Sequence, residues 1–263
     1  MSKKALLVIS FGTSYPETRK KTIAATEDTL KKAYPEYDFF RAFTSRMIVN
    51  KLKKRDNETV DLPTEALQKL KAAGYTEVIC QTTHIINGHE YDITLKELKA
   101  FENDFEVLTL GKPLLTSVDD YKKTIAVVME AMPQLKEGEA LLYMGHGSEH
   151  HANSVYPCLD YMFKNEGYKD VYMGTVEGFP ELDDILPQLE EKGYKKIYLA
   201  PFMLVAGDHA QNDLAGDEED SWNTLLKAQA YETEPILEGL GQYPGIQQLF
   251  LEHLNEAKSV KEM

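Results

Sequence analysis

The stretch Ala5-Leu6-Leu7-Val8-Ile9-Ser10-Phe11, followed at once by Gly12-Thr13-Ser14-Tyr15-Pro16, sets the fold class. It is apolar at every position except Ser10 and too short to be a helix that buries one face. A strand of a parallel sheet covered on both sides has this composition, because neither side-chain direction meets water. Pro16 and Glu17 then open a helix expected to run to about Ala33, proline being tolerated in a first turn. The same alternation continues with expected strands at 38–43, 76–82 and 105–110, and with a helical stretch from Pro63 to a C-cap at Gly74.

The second half repeats this order, with expected strands at 140–144, 170–176, 195–204 and 230–236 and helices between them. The repeat extends to residues. Gly74-Tyr75-x-x-Val78-Ile79 parallels Gly193-Tyr194-x-x-Ile197-Tyr198, Gly88-His89 parallels Gly207-Asp208, and Phe11-Gly12-Thr13-Ser14 stands where Gly145-His146-Gly147-Ser148 stands later. The fold expected is α/β: two similar lobes with parallel sheets, residues 1–125 and 126–263, joined near 111–138. The last amphipathic helix is free to pack on the first lobe, and His253 on it is expected to be structural.

The 263 residues carry 43 acidic and 29 basic side chains, a formal charge of -14, which disfavours nucleic acid as a partner. All four arginines, Arg19, Arg41, Arg46 and Arg55, lie in the first quarter, where an anionic ligand would be sought first. Cys80 and Cys158 match no disulfide or zinc-ribbon spacing. No apolar run is long enough to span a membrane. The N-terminal apolar run is short and lacks a small-residue cleavage site, so a cytoplasmic protein is expected. There is no GxxxxGK[ST] phosphate loop, no nucleophile elbow, and Gly239-Leu240-Gly241-x-x-x-Gly245 has the wrong spacing for a dinucleotide turn.

Ligands of open parallel sheets bind beyond the carboxyl ends of the strands. His146 follows the first expected strand of the second lobe, Glu177 the second, and His209 lies in the loop after the third. Two imidazoles and a carboxylate suit a divalent first-row transition metal better than magnesium or calcium. Each residue also has a plainer reading: His146 as a backbone hydrogen bonder in a glycine turn, Glu177 as a carboxylate at a helix N-terminus opened by Pro180, His209 as an exposed loop residue. The equivalent loop of the first lobe offers His89 and Glu90. His150 and His151 are expected at the rim, since Gly145 and Gly147 prevent the helix that would pair His150 with His146. The acidic run Asp213, Asp217, Glu218, Glu219, Asp220 reads as a solvated loop.

Several motifs are long and unusual: SFGTS at 10–14, Phe43-Thr44-Ser45-Arg46-Met47-Ile48, HIINGHEYD at 84–92, MGHGSEHHAN at 144–153, GTVEGFP at 174–180 and VAGDHAQNDLAGDEEDSW at 205–222. Together they resemble the anaerobic cobalt chelatases of cobalamin biosynthesis, the CbiK type, over essentially the whole chain. The resemblance implies a ferrochelatase-like pair of Rossmann-like lobes with a cleft between them, and insertion of Co2+ into sirohydrochlorin or precorrin-2 without ATP or another nucleotide. It implies His146, Glu177 and His209 as metal ligands, and Glu90 as a carboxylate associated with activity beside a catalytic His146.

Sirohydrochlorin carries eight carboxylates, so local groups must outweigh the acidic net charge. The candidates are backbone N–H groups of the turns at Gly12-Thr13 and Gly147-Ser148 within the motifs that contain Ser10 and Phe11, together with Arg46 as a bidentate contact or a surface ion pair. Tyr15 and Phe11 could pack on the macrocycle face, core closure being the stronger expectation for Phe11. The partner expected is the tetrapyrrole, without nucleic acid or membrane, and a homo-oligomer is left open. The competing functions are an iron or nickel chelatase on the same macrocycle, a non-catalytic metal or tetrapyrrole carrier, and, more remotely, a histidine-dependent phosphatase.

Overall fold

The computed structural model describes residues 3–263. In chain order the elements begin β1 (Lys3–Ser10), α1 (Pro16–Lys21), α2 (Ile23–Ala33), β2 (Asp38–Phe43), α3 (Arg46–Asp56), α4 (Pro63–Ala72), β3 (Tyr75–Thr82), α5 (His89–Lys99) and β4 (Val107–Gly111). The second series is α6 (Val118–Ala131), β5 (Glu139–Gly145), α7 (Val155–Asn165), β6 (Val171–Thr175), α8 (Leu182–Lys192), β7 (Lys196–Pro201), α9 (Trp222–Ala228) and β8 (Glu232–Pro235). The chain ends with α10 (Pro244–Asn255) and β9 (Lys258–Ser259).

Two compact units result, one made of the residues up to Thr116 together with Pro244–Met263, the other Ser117–Tyr243. The second unit opens on α6, which Ser117 caps: its Oγ accepts from Asp120 N while Asp120 Oδ2 accepts from Ser117 N. The C-terminal segment returns to the first unit, where α10 packs on α2.

In the first unit the strand order is β2-β1-β3-β4-β9, parallel except for β9. Ala5, Leu7 and Ile9 of β1 face Leu67 and Leu70 of α4 and Leu98 of α5 in one buried cluster. Leu6 and Val8, pointing the other way, are buried as well. Burial on both faces is what removes the alternation from the sequence. The strand stops at Ser10, and Phe11 lies outside it, 44% exposed, so the expectation that it closes the core is corrected.

The long helix expected from Pro16 is broken at Thr22, whose hydroxyl donates back to Thr18 O at 2.7 Å. α3 was not expected; Ser45 caps it by accepting from Ile48 N, and Asn57 ends it in the left-handed region at φ 53.

The second unit has the order β6-β5-β7-β8, all parallel, which reproduces β2-β1-β3-β4 strand for strand. Leu142 and Met144 of β5 and Ile197 and Leu199 of β7 pack with Ile185 and Leu189 of α8 and with Trp222 and Leu226 of α9. On the opposite face Tyr143 stacks on Phe163 of α7, ring centroids 5.6 Å apart. No helix among the described residues is long and apolar enough to cross a membrane.

Candidate metal centre

In the second unit β5 lies between β6 and β7, so the connections leaving β5 and β7 diverge and open a crevice at the strands' carboxyl ends. His146 is the residue after β5, and Glu177 is two past the end of β6. The pairing of these strands runs on into their loops, with Val176 N donating to Gly145 O at 3.0 Å and Glu177 N to His146 O at 2.8 Å. Gly147 makes that approach feasible. Its φ is +85, and a Cβ there would stand 2.6 Å from Gly178 N and 2.7 Å from the Glu177 carbonyl carbon. Asn153 fastens the same loops, its Oδ1 accepting from Ser148 N and its Nδ2 donating to Phe179 O.

His209 arrives from the loop after β7, immediately before a single π-helical turn at Ala210–Leu214. Such turns recur at functional sites because they re-aim side chains. His146, Glu177 and His209 each offer a ligand atom, and these atoms lie within 4.8 Å of one another. The two imidazoles meet edge to face at 88°, and His146 Nδ1 is 3.8 Å from Glu177 Oε2.

The hydrogen bonds decide which ring nitrogen is available. His209 Nδ1 lies 2.7 Å from Asp213 Oδ2, and His146 Nδ1 lies 3.0 Å from the carbonyl oxygen of Gly147. Carboxylate and carbonyl oxygens only accept, so in both neutral rings Nδ1–H is the donor and Nε2 keeps the lone pair. The donor set is therefore one nitrogen from each imidazole and a carboxylate, which fits a divalent first-row metal. His146 and Glu177 are exposed and His209 is half-buried, an open arrangement rather than the closed shell of a structural site. Tyr156 underlies the loop; burial pushes its hydroxyl up to about 12, although backbone hydrogen bonds from Gly147 and His146 act against that.

Two plainer readings change. Glu177 is not at a helix N-terminus: α8 starts at Leu182, where Glu181 N is capped by Asp184. Asp213 is not part of a solvated run but orients His209. The signal was the His-x-x-x-Asp spacing, which a helical turn brings together. His150 is half-buried and His151 exposed at the start of a short 3-10 turn, with His150 Nδ1 accepting from Ala152 N.

The remaining candidates divide. Glu90 and His89 open α5 in the first unit, Glu90 half-buried and His89 exposed. Ser10 is corrected to a core residue: it is fully buried, its Oγ accepts from Thr83 Oγ1 and its carbonyl from Thr44 N. The Ser148 N–H, expected to receive a carboxylate, already donates to Asn153 because the loop needs that clamp. Gly12, at φ +100, packs against the Phe43 ring, Thr13 is buried with Oγ1 accepting from Tyr15 N, and Arg46 is exposed at the start of α3.

The model of the cobalt chelatase family, CbiK, matches residues 4–259. This chain belongs to that family. Relatives agree along its length. A sirohydrochlorin cobaltochelatase of Salmonella typhimurium is 46% identical over 255 residues, covering 97% of this chain and 96% of the relative. The sirohydrochlorin cobaltochelatase CbiKC of Nitratidesulfovibrio vulgaris is 33% identical over 262 residues, covering 98% and 92%. Among solved structures, SirB from Bacillus subtilis with Fe3+ has a TM-score of 0.64 at 14% identity, covering 97% of this chain and 95% of its own. DR2241 from Deinococcus radiodurans, a multi-domain protein with structural similarity to chelatases, has a TM-score of 0.62 at 13% identity, with 97% and 55% covered. These two establish the chelatase-like fold of the family member described here.

Proposed function

We propose that the chain acts as a sirohydrochlorin cobaltochelatase of the cytoplasm, inserting Co2+ into sirohydrochlorin or precorrin-2 without ATP in the oxygen-independent route to cobalamin. The observation that carries the reading is the meeting of His146, Glu177 and His209 from three successive strand ends. Metal and macrocycle are both substrates. Metallation removes two pyrrole N–H protons while a dication is delivered, so the reaction needs a metal perch and proton acceptors.

Two neutral imidazoles hold Co2+ without cancelling its charge, and one carboxylate moderates it. Three donors with open positions let the metal leave for four macrocycle nitrogens, whereas a closed four-ligand shell would retain it. Once the metal departs, the Nε2 lone pair of His146 is free to take a proton, and Glu90 assists in removing the second. Gly12, Thr13, Tyr15, Arg46 and the exposed ring of Phe11 hold the macrocycle.

The test is anaerobic, spectrophotometric insertion of Co2+ into sirohydrochlorin without ATP. The wild type should turn over repeatedly, and His146→Ala and His209→Ala should each lose on the order of 100-fold in rate. Glu90→Gln should lose metallation at saturating Co2+ with metal affinity unchanged; undiminished turnover would remove Glu90 from the mechanism. Stoichiometric binding with no release of metallated product would make the chain a carrier.

A further inference from the structure

We propose that a basic groove on α3 captures the carboxylate rim of the macrocycle, an assignment that rests on the chelatase reading above. The groove is shallow and open to solvent, formed by Met47, Asn50, Lys51, Lys54 and Arg55 along one face of α3. α3 holds five cations, Arg46, Lys51, Lys53, Lys54 and Arg55, against a single carboxylate, Asp56. In a chain of formal charge -14, that concentration runs against the whole.

Its cations are also the available ones. Arg19 is committed to Glu58 at 2.8 Å and Arg41 to Glu27, while Arg55 is tied to Asp56. Arg46 faces the Glu97 carboxylate, and among the described residues no carboxylate stands within ion-pair distance of Lys51 or Lys54. Charges left without counterions on an acidic protein are those an anionic ligand can use. Screening confines electrostatics to about 8–10 Å at physiological salt, so at contact these lysines outweigh the distant net charge.

The groove is joined to the loop after β1. Ser45 N donates to Phe11 O at 3.2 Å, Lys51 Nζ stands 5.8 Å from the Tyr15 ring centroid, and Arg55 Nη2 donates to Ser14 O. Phe11 is 44% exposed and Met47 70%, an apolar surface beside the cations. A flat macrocycle with acid side chains around its edge asks for that combination: apolar area for the ring and flexible ammonium groups for the rim. Lysine suits this better than arginine, since its point charge follows a ligand of variable geometry.

The experiment compares Lys51→Gln/Lys54→Gln with a control of equal charge loss on the second unit, Lys192→Gln/Lys195→Gln. Sirohydrochlorin binding is read from its own fluorescence without metal, and KM and kcat from cobalt insertion over a range of salt. The groove variant should weaken macrocycle binding and raise its KM about fivefold or more, with a shallower salt dependence. Its kcat and its KM for Co2+ should stay within about twofold, and Lys51→Arg/Lys54→Arg, which keeps the charge in a stiffer group, should recover part of the binding. Unchanged binding in the groove variant, or an equal loss in the control, would overturn the proposal. Wild-type turnover checks the chelatase reading separately: if the wild type binds sirohydrochlorin but never metallates it, that reading fails while the groove is judged by binding alone.

Discussion

Asp213 shows how a single acceptor can define a metal ligand. With Oδ2 at 2.7 Å from His209 Nδ1, it fixes the tautomer and leaves the lone pair on Nε2. Partners of this kind are worth about 10- to 100-fold in metal affinity. Asp213→Ala should therefore weaken Co2+ binding about tenfold by calorimetry, while Asp213→Asn, which keeps an acceptor, should recover part of the loss. Equal affinity in wild type and Asp213→Ala would make the contact incidental. Composition hid this residue: four further carboxylates follow it, and charge runs usually face water. His84 carries the other prediction at this scale. Burial pushes its imidazole down to about 4 from an ordinary 6.5. Between those values the unfolded chain binds the extra proton, so stability is lost as pH falls through that window, by up to about 3 kcal/mol. The urea midpoint should fall further between about pH 7 and pH 4.5 in the wild type than in His84→Gln. Parallel declines would place the acid sensitivity elsewhere.

Among the elements, those buried on both faces were the legible ones. β1, β3, β5, β6 and β7 were anticipated within a few residues, since continuous apolar runs admit few other readings, whereas the more exposed β2, β4 and β8 were placed by the alternation of strands with helices. α3 was missed because it is among the most polar of the helices flanking the strands, with Leu52 its one buried residue. The break at Thr22 was missed because a change of backbone angles at one residue, φ -115 and ψ -79, leaves no mark on hydrophobic periodicity. The donor set was legible as residues at strand ends. Its closeness was not, because it depends on the β5 and β6 loops meeting at Gly147. Gly147→Ala adds a Cβ 2.6 Å from Gly178 N, so the loops must part and His146 must move from Glu177. The expected result is a cost of about 1–3 kcal/mol from the positive φ and the clash, together with a clear fall in Co2+ affinity. Gly138→Ala, also at positive φ (+81) but with open space around its Cβ, should cost stability and leave Co2+ binding intact. A like effect of both on Co2+ would refute loop contact as the cause.

For the whole molecule, the duplicated strand order makes the two units alike in topology and unequal in content. The metal donors all belong to Ser117–Tyr243, whereas the basic helix α3 belongs to the first unit. The last twenty residues complete the first unit rather than extend the second. Ile246, Leu249, Phe250 and Leu254 of α10 and Val260 beside β9 are buried, and His253 Nδ1 donates to Lys112 O at 3.2 Å. Those five side chains contribute roughly 10 kcal/mol of apolar burial as an upper figure, comparable to the net stability of an entire domain. A chain ending at Tyr243 should therefore lose the cooperative unfolding of its first unit. The second unit keeps its own core and all three donors, so the truncated chain should still bind Co2+ with an affinity near that of the full chain while failing to metallate sirohydrochlorin. Calorimetric unfolding, Co2+ titration and the insertion assay on the same preparation read the three consequences. Loss of Co2+ binding alongside an intact unfolding transition for the second unit would show that the donors depend on residues beyond it, and a truncated chain that still turns over would show that the C-terminal segment is dispensable to the first.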